Sequence, residues 1–235
     1  MKNLIPLSLM ISVLLTACMK DSLIEPQPNP NSAKTSGTIT AIINKQMMSQ
    51  AVQVLINHTP LNEQDTGINM MPFSGSISWG DETVDNFIDS AEGAVLHGHM
   101  YQSPGIYTIT INLDKPNGMS SFTIQSNPDQ LLSLSGLENI PGNLLKYIVL
   151  QNTQLTTIDI SANTSLTSLY LRNNNFSTTA VNNILIALDN SGVQAGPWGV
   201  PYIDISHQQP LAAPSGLGST AKLNLIAKGW TVITD

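Results

Sequence analysis

Polar and apolar positions along this 235-residue chain change their period more than once, and each change marks a different kind of element. From Thr38 to about Leu113 the apolar residues come in short alternating bursts, as in Thr38-Ile39-Thr40-Ala41-Ile42-Ile43, Val52-Gln53-Val54-Leu55-Ile56 and Tyr107-Thr108-Ile109-Thr110-Ile111. A period of two with β-branched residues predicts strands, and Pro60, Pro72 and Gly105 punctuate the turns between them. Pro104-Gly105 suits a tight turn; behind it Tyr107, Ile109 and Ile111 share one face while Thr108, Thr110 and Asn112 face water. The region reads as a small antiparallel β-sandwich with Trp79 as its central aromatic.

Further along, the pattern repeats itself. Leu145-Lys146-Tyr147-Ile148-Val149-Leu150-Gln151-Asn152-Thr153-Gln154-Leu155 aligns with Leu155-Thr156-Thr157-Ile158-Asp159-Ile160-Ser161-Ala162-Asn163. Both align with Leu166-Thr167-Ser168-Leu169-Tyr170-Leu171-Arg172-Asn173-Asn174-Asn175-Phe176. The apolar centres Ile148, Ile158 and Leu169 stand about ten or eleven residues apart, so two half-turns make a coil of roughly 21. Leucines would stack inward from coil to coil, and an amide at Asn163 or Asn174 would bond the backbone of the turn and form a ladder. Weaker copies extend the array: Phe122-Thr123-Ile124 and Leu132-Ser133-Leu134 as an opening coil, Tyr202-Ile203-Asp204-Ile205-Ser206 as a later strand. Helical spacing of Val181, Ile184, Leu185 and Leu188 behind Ser177 or Thr178 predicts a helix over Ser177 to Leu188; a second, about Ser219 to Lys228, ends at Gly229 before a strand through Trp230 and Val232.

Two resemblances follow from these residues. Ile77-Ser78-Trp79-Gly80-Asp81, with His99-Met100-Tyr101 and Pro104-Gly105-Ile106-Tyr107-Thr108-Ile109, resembles the PKD-type immunoglobulin-like domain. That resemblance implies that Asp81 accepts turn hydrogen bonds and that His99 and Tyr101 are structural. The Leu-x-x-Leu-x-Leu-x-x-Asn-x-apolar pattern is the leucine-rich-repeat signature, and with Gly229-Trp230-Thr231-Val232 the region from about Ser120 to Asp235 resembles the short leucine-rich-repeat lipoproteins of gut Bacteroidetes. The expected fold is therefore mixed: a PKD/Ig-like antiparallel sandwich over 38–117, then over 118–235 a short solenoid with parallel strands and one or two convex-side helices.

The first thirty-seven residues belong to neither pattern. Lys2 precedes an apolar run from Leu4 to Leu15, too short to span a bilayer as a mature helix, and Leu15-Thr16-Ala17-Cys18 closes it. These four residues resemble the lipobox of bacterial lipoproteins, which implies removal of 1–17 and acylation of Cys18. Met19-Lys20-Asp21 is similar to the lysine-then-acid tag that sends Bacteroidetes lipoproteins to the cell surface. Alternating prolines in Glu25-Pro26-Gln27-Pro28-Asn29-Pro30 make 18–37 an extended tether. Cys18 is also the single cysteine, so no internal disulfide can form. The expected location is the outer membrane or cell surface, reached by export and held by lipid.

Charge narrows the partners. Only 11% of residues are charged, and Lys+Arg 9 against Asp+Glu 16 gives a net −7, which repels nucleic acid. No Gly-x-Ser-x-Gly elbow, His-Glu-x-x-His pair or phosphate loop occurs in the chain. His97 and His99 lie two apart and could converge with Asp81 on a metal, although no third ligand has recognisable spacing. Asp159 and Asp204 occupy equivalent places between apolar strand residues, as a paired acid for glycoside hydrolysis would, but a solvated repeat face explains them better. No metal, cofactor or enzymatic activity is expected. The favoured reading is a monomeric, membrane-anchored adhesion module that binds a protein through the repeat face at Tyr170, Arg172, Val149, Gln151 and Asp204. Tyr170 and Arg172 are the best anchors because aromatics and guanidinium groups dominate recognition hot spots. The alternatives are a glycan-binding surface lipoprotein and a structural part of an envelope complex.

Overall fold

The computed structural model describes residues 37–46, 49–57, 74–88, 94–114, 119–125, 130–140, 145–196 and 199–235. The leader, Cys18, the tether as far as 36, Pro60 and Pro72 lie outside the described residues. Among the described residues, twelve strands and two α-helices follow in chain order: β1 (Gly37–Lys45), β2 (Val52–Asn57), β3 (Ser74–Ser78), β4 (Val84–Ile88), β5 (Ala94–His99), β6 (Gly105–Leu113), β7 (Ser121–Gln125), β8 (Gln130–Ser135), β9 (Tyr147–Val149), β10 (Ser168–Tyr170), α1 (Thr178–Ser191), β11 (Tyr202–Asp204), α2 (Leu217–Ala227) and β12 (Thr231–Ile233). The fold is mostly β-sheet, in one five-stranded sheet of order β4-β3-β6-β1-β8 and one seven-stranded sheet of order β12-β11-β10-β9-β7-β2-β5.

The alternating bursts become strands with one buried face. Ile39, Ala41 and Ile43 of β1 and Ile109, Ile111 and Leu113 of β6 are buried, with Tyr107 packed against them. β1 and β6 pair antiparallel over their full lengths. Trp79 is fully buried, with its indole N–H donating to Asp85 Oδ2 at 2.9 Å, so the one polar atom of the ring is satisfied. Gly80 has φ +86, and a Cβ there would stand 2.6 Å from the Thr108 carbonyl oxygen, so the turn behind Trp79 admits glycine alone.

The polar seam beside this turn shows what the two histidines do. His99 Nε2 lies 2.7 Å from Asp81 Oδ2, and its ring stacks on Trp79 at 5.0 Å. His97 turns to another carboxylate, Nδ1 at 3.6 Å from Asp85 Oδ2. The two rings do not converge, and among the described residues no group of three or more His, Cys, Asp or Glu is placed to hold a metal. Burial pushes the Asp81 carboxyl up, but the Thr83 hydroxyl, the His99 ring and the Thr83 N–H together bring it below its ordinary 3.8. A carboxyl lowered in the folded state stabilises above its unfolded pKa, and that contribution is lost as pH falls through the lower folded value. Asp81→Ala is therefore expected to lower the thermal midpoint by about 2–4 °C at pH 7. The difference from wild type should shrink below pH 3.8 in parallel melts; an equal difference at pH 2 would contradict the assignment.

In the second half, Ile148, Leu169, Ile203 and Val232 come into register across the parallel strands β9, β10, β11 and β12. The expected spacing of 21 residues is met between β9 and β10 (Ile148 to Leu169), where Asn152 and Asn173 bond through their side chains; it lengthens to 34 from Leu169 to Ile203 and 29 from Ile203 to Val232. The predicted half-turn strand at Ile158 is absent. Asp159 Oδ1 accepts from the Ser161 N–H at 2.9 Å, an Asx turn that bends the chain, so 155–163 forms the return of the coil. α1 begins at Ser177, whose Oγ accepts from the Ala180 N–H at 3.2 Å, and buries Val181, Ile184, Leu185 and Leu188. α2 ends before Gly229, at φ 88. The two helices are tied by Lys228 Nζ on Asp189 Oδ1 at 2.6 Å and Asn224 on Asp189 Oδ2 at 2.8 Å.

The opening coil takes a different form from the one predicted. β7 pairs antiparallel with β2 on one side and parallel with β9 on the other, while β8 joins β1 in the other sheet. Phe122, Thr123 and Ile124 are all buried, so β7 is covered on both faces of the sheet. Hydrogen bonding therefore runs without interruption from the antiparallel strands into the stacked parallel ones.

Candidate binding face

Because side chains alternate along a strand, the row Ile148-Leu169-Ile203 faces the core and its neighbours face outward. The outward rows are Tyr147, Ser168 and Tyr202, and Val149, Tyr170 and Asp204. The second row extends in register along the sheet, through Thr123, Leu55 and Leu96 on one side and Ile233 on the other. Val149, Tyr170 and Asp204 are thus brought together as predicted, with exposed Gln151 and Arg172 two residues beyond Val149 and Tyr170.

Tyr170 and Tyr202 are half-buried, their ring centroids 5.1 Å apart and tilted by 32°. Burial, the Asp204 carboxylate and Tyr170 hold the Tyr202 phenol above its ordinary 10.0, against the lowering effect of the Arg172 cation, so at neutral pH it is a hydrogen-bond donor. Tyr147, Tyr170 and Tyr202 are three of the chain's five tyrosines, and Arg172 is its single arginine. Beyond the strands, Asn152, Asn173 and His207 take left-handed backbone conformations at φ 59, 56 and 59, so each coil leaves the sheet through the same kind of turn.

Asp204 departs from its expected role. It is 8% exposed, and its Oδ1 accepts from the Ser206 N–H at 3.1 Å and the Ser206 hydroxyl at 2.6 Å. Ser206 spends its one proton there, so in the 2.9 Å contact with His207 Nδ1 its oxygen accepts, and His207 Nε2 lies 3.4 Å from Arg172 Nη2. A short relay of polar contacts thus runs from a buried carboxylate to the exposed guanidinium. Its direction is opposite to that of a serine nucleophile activated by a base, and Ser206 is 4% exposed. Asp204 acts on the face through this relay rather than by contact. Nor does it pair with Asp159, which is exposed in the return and lines a different hollow with Asn183, Ile184 and Ala187 of α1. There its carboxyl is lowered by hydrogen bonds from the Ser161 side chain and backbone, against burial.

Tyr202, Ser206 and His207 belong to the candidate face, although spacing alone does not single them out. The available signal was the alignment of Tyr202-Ile203-Asp204 with Ser168-Leu169-Tyr170, which places Tyr202 outward beside Tyr170.

Val149 and Gln151 also line a hollow of about 500 Å³, together with Gln50, Gln53, Gln125 and Asn152. It opens where the sheet changes from antiparallel to parallel. The chain leaves β7 for β8 in the other sheet and leaves β9 for β10 in the same one, so the two connections part. Among the described residues no helix is long and apolar enough to cross a membrane. No protein-family model matches the chain, and neither curated proteins nor solved structures give a match; its function is therefore read from the chemistry of its own face.

Proposed function

We propose that the chain is a lipid-anchored, non-enzymatic adhesion module of the bacterial cell surface that binds a protein through the outward face of β9, β10 and β11. In this reading the antiparallel part is a PKD-like sandwich and the parallel part a short leucine-rich-repeat solenoid. The observation that carries the reading is the Tyr170–Tyr202 pair flanked by Arg172, with the guanidinium at the end of the Arg172–His207–Ser206–Asp204 relay. Half-buried aromatics lose little conformational freedom on binding, and a guanidinium forms paired hydrogen bonds to a carboxylate or carbonyl of a partner. The inward rows, not these side chains, hold the fold together, so the face is available for recognition. Capture from a cell-surface fraction by the wild-type chain, beside a Tyr170→Ala/Arg172→Ala chain, tests the proposal; loss of the captured protein with the variant supports it.

The anchor rests on the lipobox-like Leu15-Thr16-Ala17-Cys18. Two or three acyl chains, at about 0.8 kcal/mol per buried methylene, hold a protein firmly to a membrane. Cys18→Ala is expected to move the protein from the membrane pellet to the soluble fraction; retention in the pellet contradicts lipidation.

A further inference from the structure

The geometry points to a second ligand site, adjoining the tyrosine–arginine face at Val149 and Gln151: the hollow lined by the amides of Gln50, Gln53, Gln125, Gln151 and Asn152 takes a neutral saccharide. Several observations converge. None of the described lining residues is charged, so an ionic ligand would find no counter-charge among them. Every amide offers an acceptor and two donors in one plane, a pairing that matches adjacent hydroxyls, each of which both donates and accepts. Asn173 Nδ2 donates to Asn152 Oδ1 at 2.6 Å, which orients the Asn152 amide and leaves its NH₂ as a donor. Ala51 and Val149 supply an apolar patch for the C–H face of a sugar ring. At about 500 Å³ the hollow lies in the size range of small-molecule sites, yet its amide lining is more polar than the apolar pockets that hold drug-like ligands or partner side chains. A peptide seated there would need apolar subsites for its side chains, which this lining does not provide.

The test applies the purified full chain to an array of neutral trisaccharides, beside the same sugars bearing a sialic acid or a sulfate. Binding to at least one neutral member is expected, weakened by the acidic groups. Gln53→Ala/Gln125→Ala should reduce that binding at least about tenfold, since it removes the hydrogen bonds of two amides. Tyr170→Ala/Arg172→Ala should leave it within about twofold. Should the double-alanine chain misfold, Gln125→Glu keeps the shape, adds a charge and should weaken neutral-sugar binding in the same direction. A blank neutral array, preference for the acidic sugars, or binding that survives both glutamine variants overturns the proposal. Loss of protein capture with Gln53→Ala/Gln125→Ala, without any sugar binding by the wild type, would instead assign the hollow to the protein-binding face. Failure of the sugar site and failure of the adhesion face are thus read by different variants.

Discussion

Asn174→Ala is expected to lower the thermal midpoint by about 10 °C. Asn174 is fully buried, and its NH₂ donates to the carbonyl of Leu150 at 2.8 Å and of Leu171 at 2.9 Å. Its oxygen accepts from the Leu155 N–H at 3.1 Å and from the Thr153 hydroxyl. One side chain therefore satisfies backbone groups of two successive coils that water does not reach. Truncation leaves those groups buried without partners, at about 1–3 kcal/mol each with partial relaxation, so roughly 3–5 kcal/mol in total. The same role recurs one coil later. Gln208, also fully buried, donates to Leu171 O at 3.1 Å and Ile205 O at 2.9 Å, and accepts from the Phe176 N–H at 3.1 Å. Gln208→Ala should give a loss of similar size. Midpoints within about 2 °C of wild type for both variants, measured by calorimetry, would show that the ladder does not hold the coils together.

This ladder marks where the sequence was legible and where it was not. Asn174 stood in an unbroken template, so its position and its bonding role could be read from spacing. The α1 segment between Asn174 and Gln208 destroys the fixed interval, and a glutamine replaces the asparagine, so periodicity could not identify the second rung. The helices were legible because the Ser177 cap and Gly229 are local signals. The alternation in β6 was legible for the same reason. The pairing of β7 with β2 was not, because antiparallel partners far apart in the chain leave no local mark of their register. In the face, register placed Val149, Tyr170 and Asp204 in one row, but the burial of Asp204 depends on its side chain folding back onto Ser206. Asp-x-Ser carries that tendency at both Asp159 and Asp204, where it competes with the outward orientation that strand alternation alone would give.

The second large effect is on binding. Tyr170→Ala/Arg172→Ala is expected to weaken capture of the partner protein at least about a hundredfold, since hot-spot truncations cost 2 kcal/mol or more each and do not add fully. Arg172 is exposed, and Tyr170 is half-buried against Tyr202, so the midpoint should fall by less than about 4 °C. Arg172→Lys should recover little of the affinity, because a lysine ammonium has no planar fork to present to a carboxylate. Ser206→Ala should fall between wild type and Arg172→Ala, since it breaks the relay while leaving the guanidinium present.

The decisive measurement is the equilibrium affinity of the captured surface protein for the wild-type chain and for Tyr170→Ala/Arg172→Ala, with melting curves recorded on both. The adhesion face predicts an affinity lower by at least about a hundredfold with the fold retained. Equal affinities of the two chains for the same partner would contradict it.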